Sequence, residues 1–212
     1  MSVTRAAGVV LAGGRATRLG NRNKGLIKVG GRPVIERVVS TLAPLVSRVI
    51  IVANDPGPFG YLGLKTIPDA PGASGAMAGL LAGLLEAGRP VLTTGCDLPF
   101  ISGPLAVYLM ENLPGWDVVV PKCPEGFQPL FAVYGPGCVE PVRRAVERGE
   151  RRLTSIYREL AVRRVEGPEL ASFEPERSFF NINTPADLTL ARRMAESELL
   201  YSNSRAYNGE DG

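Results

Sequence analysis

The chain has 212 residues, of which 45% are hydrophobic, and a formal net charge of +3. This length fits one domain with a sizeable core, and the modest charge, without blocks of like sign, argues against a nucleic-acid partner. The chain contains no histidine, which excludes Ser-His-Asp and Cys-His catalysis and metal sites built on histidine. Any chemistry therefore uses carboxylates, cations, backbone amides or a hard metal ion, as phosphoryl and nucleotidyl transfer do.

Cysteine usage and hydropathy bear on the cellular compartment. Cys96, Cys123 and Cys138 are widely spaced and fit neither a disulfide framework nor a zinc site, so they suit a reducing cytoplasm. No apolar run resembles a signal peptide or is long enough to span a bilayer. We therefore expect a cytoplasmic protein without a membrane partner.

Short apolar runs alternate with amphipathic segments along the chain. The predicted strands are 6–11, 48–53, 65–67, 90–94, 117–120, 130–134, 162–165 and 179–182. The predicted helices are 33–45, 75–87, 103–113, 139–148, 153–160 and a last one from Pro185, capped by Asn183 or Thr184. Strands that are apolar on both faces predict a mostly parallel sheet with helices on both faces. We expect a single α/β domain, a three-layer sandwich over residues 1–201, and a frayed polar tail at 202–212.

The first predicted strand leads into a loop rich in glycine and basic residues. Gly13 and Gly14 end the strand, and Arg18 and Lys24 follow. Glycines allow a close backbone approach to an anion, and basic side chains neutralise its charge. The loop has neither the Walker A spacing nor the dinucleotide fingerprint. An ordinary basic strand–helix turn explains these residues as well as a phosphate-binding loop does.

Polar residues follow several of the predicted strands. Ligands of parallel sheets bind beyond the carboxyl ends of the strands, so Asn54, Asp69 and Asp97 are candidates. Asp97 is suited to bind Mg²⁺, an ion that takes one or two carboxylates together with phosphate oxygens. A turn-forming aspartate is the alternative. Asp69 is suited to accept hydrogen bonds from a base or a ribose.

Glycines recur at Gly75, Gly79 and Gly83 of the second predicted helix. Close packing on the sheet accounts for Gly79 and Gly83, whereas Gly75 lies in the entry loop and is a candidate to approach a base or a phosphate. The loop 149–152 is either a glycine helix end followed by solvated charges or an anion clamp formed by two adjacent arginines.

The segment 179–185 carries two amides, Asn181 and Asn183. Because strands have a period of two, both amides lie on one side of the predicted strand and are suited to bind a heteroaromatic ligand. Asn183 is alternatively a simple helix cap.

Together these segments resemble the molybdenum cofactor guanylyltransferases of the nucleotidyltransferase superfamily. The resemblance rests on LAGGRATRLGNRNKG (11–25), GASGAMAGLLAGL (72–84), CDLPF (96–100), GERR (149–152) and NINTP (181–185). It implies a Rossmann-like, nucleotide-diphospho-sugar transferase-like fold. It implies GTP contacts at Leu11, Ala12, Gly13, Lys24, Asn54, Asp69 and Asp97, with Mg²⁺ on Asp97, and molybdopterin contacts at Asn181 and Asn183. The glycine-rich loops add Gly14 and Gly75 to this predicted ligand-binding set.

The chain departs from the family pattern at three positions. Leu19 replaces the usual methionine, Asn23 replaces the aspartate common before the lysine, and Gln128 stands where members often have histidine. The first change is conservative, the second removes one charge from the loop, and the third removes any role for a histidine.

The sequence thus predicts a Mg²⁺-dependent transfer of GMP from GTP to the phosphate of molybdopterin or molybdenum cofactor. Arg18 and Lys24 neutralise the triphosphate in this prediction, and Asp97 holds the metal. Molybdoenzyme maturation proteins are expected as further partners. The alternatives are another nucleotidyltransferase of this fold, such as an adenosylcobinamide-phosphate guanylyltransferase or a cytidylyltransferase, and a nucleotide-binding module without catalysis.

Overall fold

A computed structural model describes the backbone of residues 6–13, 15–16 and 22–207 and the side chains of 6–13 and 23–198. Gly14 and the side chain of Arg18, both predicted to bind phosphate, lie outside these residues. Strands and helices alternate along most of the chain.

The strands are β1 (Ala7–Leu11), β2 (Arg15–Ala16), β3 (Arg22–Asn23), β4 (Lys28–Val29), β5 (Arg32–Pro33), β6 (Val49–Val52), β7 (Lys65–Ile67), β8 (Val91–Gly95), β9 (Val118–Cys123), β10 (Gly126–Phe127), β11 (Val133–Tyr134) and β12 (Val162–Val165). The α-helices are α1 (Val34–Leu42), α2 (Ala76–Ala87), α3 (Gly103–Glu111), α4 (Val139–Glu147), α5 (Pro168–Ala171), α6 (Pro175–Ser178) and α7 (Pro185–Tyr207).

Eight of these strands form one mixed sheet in the order β10-β9-β11-β8-β1-β6-β7, with β12 on β9. The pairs β1–β6, β1–β8, β6–β7 and β9–β12 are parallel, and β11 and β10 pair antiparallel with their neighbours. Continuous apolar sequences explain the central strands, since every residue of β6 is buried. The predicted mostly parallel α/β sheet is confirmed.

The direction of strand addition reverses at β1. After β1 the chain adds β6 and β7 on one side and then crosses to place β8 on the other side. The carboxyl ends of β1 and β8 therefore border a crevice, and such a crevice is where α/β sheets bind ligands.

Helices cover both faces of the sheet. One buried cluster joins the sheet to α1, α3 and α7, and a second joins it to α2, α4 and the 3₁₀ helix Leu153–Glu159. Helix α2 packs very closely, because a Cβ added to Gly83 would lie 2.7 Å from Val9 Cγ1. The predicted packing role of Gly79 and Gly83 agrees with these distances.

The predicted strand 179–182 is wrong. Phe179 ends α6 in a turn, and the residues 180–182 that follow, with Ile182 buried, join no sheet. They lie beside Asp97, where Ile182 N donates to Asp97 O at 3.1 Å. The preceding strand β8 already pairs with β1 and β11, so β8 offers no free edge there.

Three predicted helices differ most from the structure, and the other predicted helices match it within two residues. Helix α1 ends at Leu42, shortly before Pro44, which has no N–H for a further helical bond. The predicted helix 153–160 is the 3₁₀ helix Leu153–Glu159. Helix α7 continues to Tyr207, so 202–207 are helical where a frayed tail was predicted. Polar composition does not end a helix, and the first glycine after Pro185 is Gly209.

A short hairpin that the sequence analysis did not predict precedes α1. Strands β4 and β5 pair antiparallel around Gly30 and Gly31, whose φ values of 58° and 77° favour glycine. A Cβ added to Gly30 would lie 3.0 Å from Ala195 Cβ of α7, so the hairpin packs directly against the last helix. Among the described helices, none has the length and apolar composition needed to cross a membrane.

Candidate active site

A cavity of about 220 Å³ opens in the crevice at the carboxyl ends of β1 and β8. Its lining residues are Leu11, Gly13, Lys24, Val52, Asp69, Gly75, Ala76, Gly95, Cys96, Asp97 and Leu130. Six of the predicted ligand-binding residues are in this set.

On one side of the cavity, Lys24 contacts two residues that are distant in sequence. Its Nζ lies 3.0 Å from Asp97 Oδ2 and donates to Asn183 Oδ1 at 2.6 Å. The side chains of Lys24 and Asp97 are 18% and 17% exposed, so both remain accessible to a ligand. We call Lys24, Asp97 and Asn183 the Lys24 side.

Lys24 is placed by a short 3₁₀ helix, Lys24–Leu26. Asn23 Oδ1 caps this helix by accepting a hydrogen bond from Gly25 N at 3.0 Å. The asparagine that replaces the family's usual aspartate therefore retains a cap acceptor. The preceding basic loop begins and ends in the pair β2–β3, with Arg15 opposite Asn23.

Asp97 lies in a turn two residues beyond β8. Cys96 N donates to Leu11 O, and Asp97 O accepts from Ile182 N, both at 3.1 Å. A Cβ added to Gly95 would lie 2.6 Å from Asp97 Oδ1. The carboxylate thus lies directly over Gly95, and this position requires the absence of a side chain there.

Asn183 is fixed by the start of α7. Thr184 N and Asn183 N donate to Asp187 Oδ2 at 2.8 and 2.9 Å, and Asp187 N donates to Thr184 Oγ1. These bonds, led by that of Asn183 N, lower the pKa of Asp187. Thr184 is therefore the helix cap, and the amide of Asn183 is left to face Lys24.

On the opposite side of the cavity, Asp69 is held by its neighbours in sequence. Asn54 Nδ2 donates to Asp69 Oδ2 at 3.0 Å, and Asp69 N donates to Asn54 Oδ1 at 2.9 Å. Gly75 N donates to the same Asp69 oxygen at 3.1 Å. Asp69 thus places its negative charge at the N-terminus of α2, where a helix favours anions. We call Asn54, Asp69 and Gly75 the Asp69 side.

The end of β1 separates the two sides. Gly13 is exposed, and among the described residues a Cβ added to it would meet no heavy atom within 4 Å. Its φ is not positive, so the turn does not require the conformational freedom of glycine at this position. Gly13 lines the cavity, so the space beside it is part of the cavity.

Four predicted contacts within the described part of the chain do not line the cavity: Ala12, Asn54, Asn181 and Asn183. Asn54 and Asn183 bond to Asp69 and Lys24, which do line it. Ala12 is buried, and its N donates to Val52 O within the sheet. Asn181 Nδ2 donates to Phe179 O at 3.4 Å, so this amide bonds within its own segment.

Neither Arg151 nor Arg152 lines the cavity, and Gly149 has the positive φ of a helix-terminating glycine. The helix-end interpretation of 149–152 is the one that the geometry favours.

Five wall residues were not among the predicted ligand-binding residues: Val52, Ala76, Gly95, Cys96 and Leu130. Burial raises the pKa of the Cys96 thiol to about 12, so the group is a neutral, small wall element. Leu130 follows Pro129, whose carbonyl accepts a hydrogen bond from the buried Tyr134 hydroxyl at 2.8 Å. The sequence of β11 does not predict this hydrogen bond, because the acceptor is a backbone carbonyl of a loop.

The carboxylates suit a metal that is shared with a ligand. Among the described residues, no group of three or more potential metal ligands of the Cys, Asp and Glu types is gathered at one place. Asp97 offers one partly exposed carboxylate on the cavity. A single carboxylate fits Mg²⁺, which completes its coordination with phosphate oxygens and water, and does not fit a cage built only from protein.

The chain is similar to a family of nucleotidyltransferases and to individual proteins named molybdenum cofactor guanylyltransferases. The model of the MobA-like NTP transferase domain matches residues 8–165. A probable molybdenum cofactor guanylyltransferase of Pelotomaculum thermopropionicum is 38% identical over 195 residues, which are 91% of this chain and 95% of that protein. A molybdenum cofactor guanylyltransferase of Desulfosudis oleivorans is 34% identical over 87% of this chain and 93% of its own.

Solved structures extend the comparison to the fold. Molybdopterin-guanine dinucleotide biosynthesis protein A from Archaeoglobus fulgidus superimposes with a TM-score of 0.78 at 27% identity, covering 90% of this chain and 99% of its own. A 2-C-methyl-D-erythritol 4-phosphate cytidylyltransferase from Thermus thermophilus has a TM-score of 0.66 at 21% identity, covering 91% and 99%. The second likeness concerns the fold alone.

Proposed function

The chain belongs to the MobA-like NTP transferase family and is a nucleotidyltransferase, and we propose that it transfers GMP from GTP to the phosphate of molybdopterin or molybdenum cofactor. Pyrophosphate is the other product. The observation that carries the proposal is the contact of Lys24 with both Asp97 and Asn183 at one wall of the cavity. The relatives in this family that bear guanylyltransferase names support GTP as the donor.

The Lys24 side would hold the triphosphate. The Lys24 ammonium faces the cavity beside Gly13, where the backbone is open to an approaching anion. Lys24 would exchange contacts with Asp97 and Asn183 for contacts with phosphate oxygens and neutralise their charge. Arg18, outside the described side chains, is proposed to add a second positive charge from the basic loop.

The transfer itself needs no general base. A phosphate oxygen of the acceptor is already ionised at neutral pH and would attack the α-phosphorus of GTP in line, while pyrophosphate leaves. This agrees with a chain that has no histidine. Asn183, at the start of α7, would orient the acceptor through its amide, and Asn181 is proposed to assist from the same segment.

Asp97 is the residue that would hold Mg²⁺. The bound ion would neutralise and orient phosphate oxygens of the nucleotide. Backbone hydrogen bonds from Cys96 N to Leu11 O and from Ile182 N to Asp97 O hold the turn that carries this carboxylate.

The Asp69 side would bind the base. A carboxylate that accepts two N–H groups retains capacity for further donors, and Asp69 faces the cavity opposite Lys24. Guanine carries N–H donors on its Watson–Crick edge, which suits such an acceptor. Leu11 and Leu130 supply apolar walls.

We further propose that the enzyme acts in the cytoplasm and passes its product to molybdoenzyme maturation proteins.

Pyrophosphate release tests the proposal. Purified protein is incubated with molybdopterin, Mg²⁺ and each of the four nucleoside triphosphates in turn. We expect release with GTP only, and none when molybdopterin is omitted. Release with CTP but not with GTP would contradict guanylyl transfer.

A further inference from the structure

A second cavity, of about 500 Å³, lies behind the Asp97 turn, on the face of the sheet covered by α1, α3 and α7. Four of its lining residues are linked because two arginines each contact the same ring and the same carboxylate: Arg37 of α1, Phe100, Arg177 of α6 and Glu198 of α7. We call these four the Phe100 cluster. None of them lines the nucleotide cavity.

Arg37 is the centre of this cluster. Its Nε donates to Pro99 O at 3.0 Å, and a terminal nitrogen donates to Glu198 Oε2 at 2.6 Å. Arg177 pairs with the other oxygen of the same carboxylate. The guanidinium carbons of Arg37 and Arg177 lie 5.1 and 4.8 Å from the centre of the Phe100 ring, within the range of cation–π attraction.

The cluster is joined to both parts of the Lys24 side. Pro99 and Phe100 directly continue the turn that presents Asp97. The Phe100 ring also packs on Phe180 at 6.3 Å between centroids, and Phe180 leads through Asn181 and Ile182 to Asn183. Ile182 in turn donates to Asp97 O. The cluster therefore holds the two segments whose side chains meet at Lys24.

We propose that Arg37 is a positioning residue that fixes the Asp97 carboxylate for metal binding. The proposal rests on the proposed function, in which Asp97 holds the metal. Arg37 does not face the nucleotide cavity and acts only through Pro99 and Phe100. Arginine is required because one planar guanidinium bonds a backbone carbonyl and a carboxylate in two directions while it stacks on a ring. A lysine ammonium at this place cannot do all three.

The test is Arg37→Lys, which keeps the charge and loses the fork. Mn²⁺ affinity is measured by electron paramagnetic resonance with GTP present and the acceptor absent. We expect the affinity to fall about 10- to 100-fold, as is typical when a group supporting a metal ligand is changed. Phe100→Leu keeps an apolar side chain and removes the ring contacts with Arg37, Arg177 and Phe180. We expect it to lower the Mn²⁺ affinity as well.

Arg48→Lys is the matched control. Arg48 also donates to backbone carbonyls, those of Glu86 and Ala87 at 2.7 and 3.3 Å, and lies near Glu86 Oε1 at 4.0 Å. It precedes β6 and is therefore at the end of the sheet away from the cavity. We expect its Mn²⁺ affinity to equal that of the wild type.

Hydrogen–deuterium exchange gives a readout that is independent of metal. In Arg37→Lys, amides of the peptide 96–101 should exchange faster than in the wild type, and those in Arg48→Lys should not. A lower melting temperature with unchanged Mn²⁺ affinity and unchanged exchange would overturn the proposal and leave Arg37 a merely structural residue. If Asp97→Asn binds Mn²⁺ as tightly as the wild type, the metal assignment fails, and exchange alone then decides the role of Arg37.

Discussion

On the Asp69 side of the cavity, the hydrogen-bonded partners Asn54 and Gly75 are 15 and 6 residues from Asp69 along the chain. On the Lys24 side, Asp97 and Asn183 are 73 and 159 residues from Lys24. The first group is assembled from neighbouring loops of β6, β7 and α2. The second requires the start, the middle and the end of the chain to be folded together.

The chemistry of the two sides differs in the same way. The Asp69 carboxylate accepts from two uncharged N–H groups, and Asp69 N donates to Asn54, a geometry that is set without a ligand. Lys24 and Asp97 form an ion pair that can exchange its partners for phosphate and metal. We therefore expect a division of labour, in which the Asp69 side governs binding of the base and the Lys24 side governs the rate of transfer.

The largest effect is expected for Asp97→Asn on the Lys24 side. Loss of one preorganised charge at a reacting phosphate should lower kcat by about 10²–10³. The free energy of unfolding should change by less than about 1 kcal/mol, because the pair with Lys24 is partly exposed. Initial rates at saturating GTP measure the first quantity and urea unfolding the second. Asp55→Asn, in the exposed loop after β6, is the control, and an unchanged kcat for Asp97→Asn would remove this residue from catalysis.

Gly79→Ala and Gly83→Ala compare the site with the scaffold beneath it. An added Cβ would lie 2.7 Å from Val9 Cγ1 at position 83, and 2.9 Å from Leu11 Cδ2 and 3.2 Å from Asp69 Oδ1 at position 79. Overpacking destabilises by about 1–3 kcal/mol, and helix propensity offsets about 1 kcal/mol of this. Both variants should unfold at lower urea concentration. Only Gly79→Ala should also raise the KM for GTP, because its added Cβ lies beside the Asp69 carboxylate. Equal KM values for the two variants would contradict a role of Asp69 in binding the base.

Asn54→Ala tests the Asp69 side directly. The substitution removes both hydrogen bonds between Asn54 and Asp69. We expect the KM for GTP to rise about tenfold, which is equivalent to a loss of about 1.4 kcal/mol of binding free energy. The value of kcat should stay near that of the wild type, because uniform binding is lost. Steady-state kinetics with varied GTP measure both constants. A fall in kcat with unchanged KM would assign Asn54 to the rate of transfer and contradict the division.

The smallest expected effect concerns Cys96, which lies between the two sides. Burial raises the pKa of its thiol to about 12, so at pH 8 the reactive thiolate is scarce. Iodoacetamide at that pH should modify the half-exposed Cys123 first and leave Cys96 and transfer activity unchanged. Mass spectrometry of tryptic peptides locates the label. Rapid labelling of Cys96 with loss of activity would show an open, ionised thiol on the cavity.

Local sequence patterns predicted most of the fold and many of the residues at the site. Continuous apolar runs located the central strands. Asp97, which follows the end of one of them, lines the cavity, because ligands of parallel sheets bind beyond the carboxyl ends of the strands. Residues 180–183 alternate apolar and polar side chains as a strand does. Strand formation also needs a free sheet edge, and that is a property of the whole fold. The bond from Arg37 to Pro99 likewise spans 62 residues, and no local pattern encodes it.

A double-mutant cycle tests the division between the two sides most directly. The values of kcat/KM for GTP are measured for the wild type, Asp97→Asn, Asn54→Ala and the double variant. In the described contacts the two residues share no hydrogen-bond partner, so we predict that the two losses add within about 0.5 kcal/mol. A double variant no slower than Asp97→Asn alone would contradict the division, because it would show that both sides act as one unit.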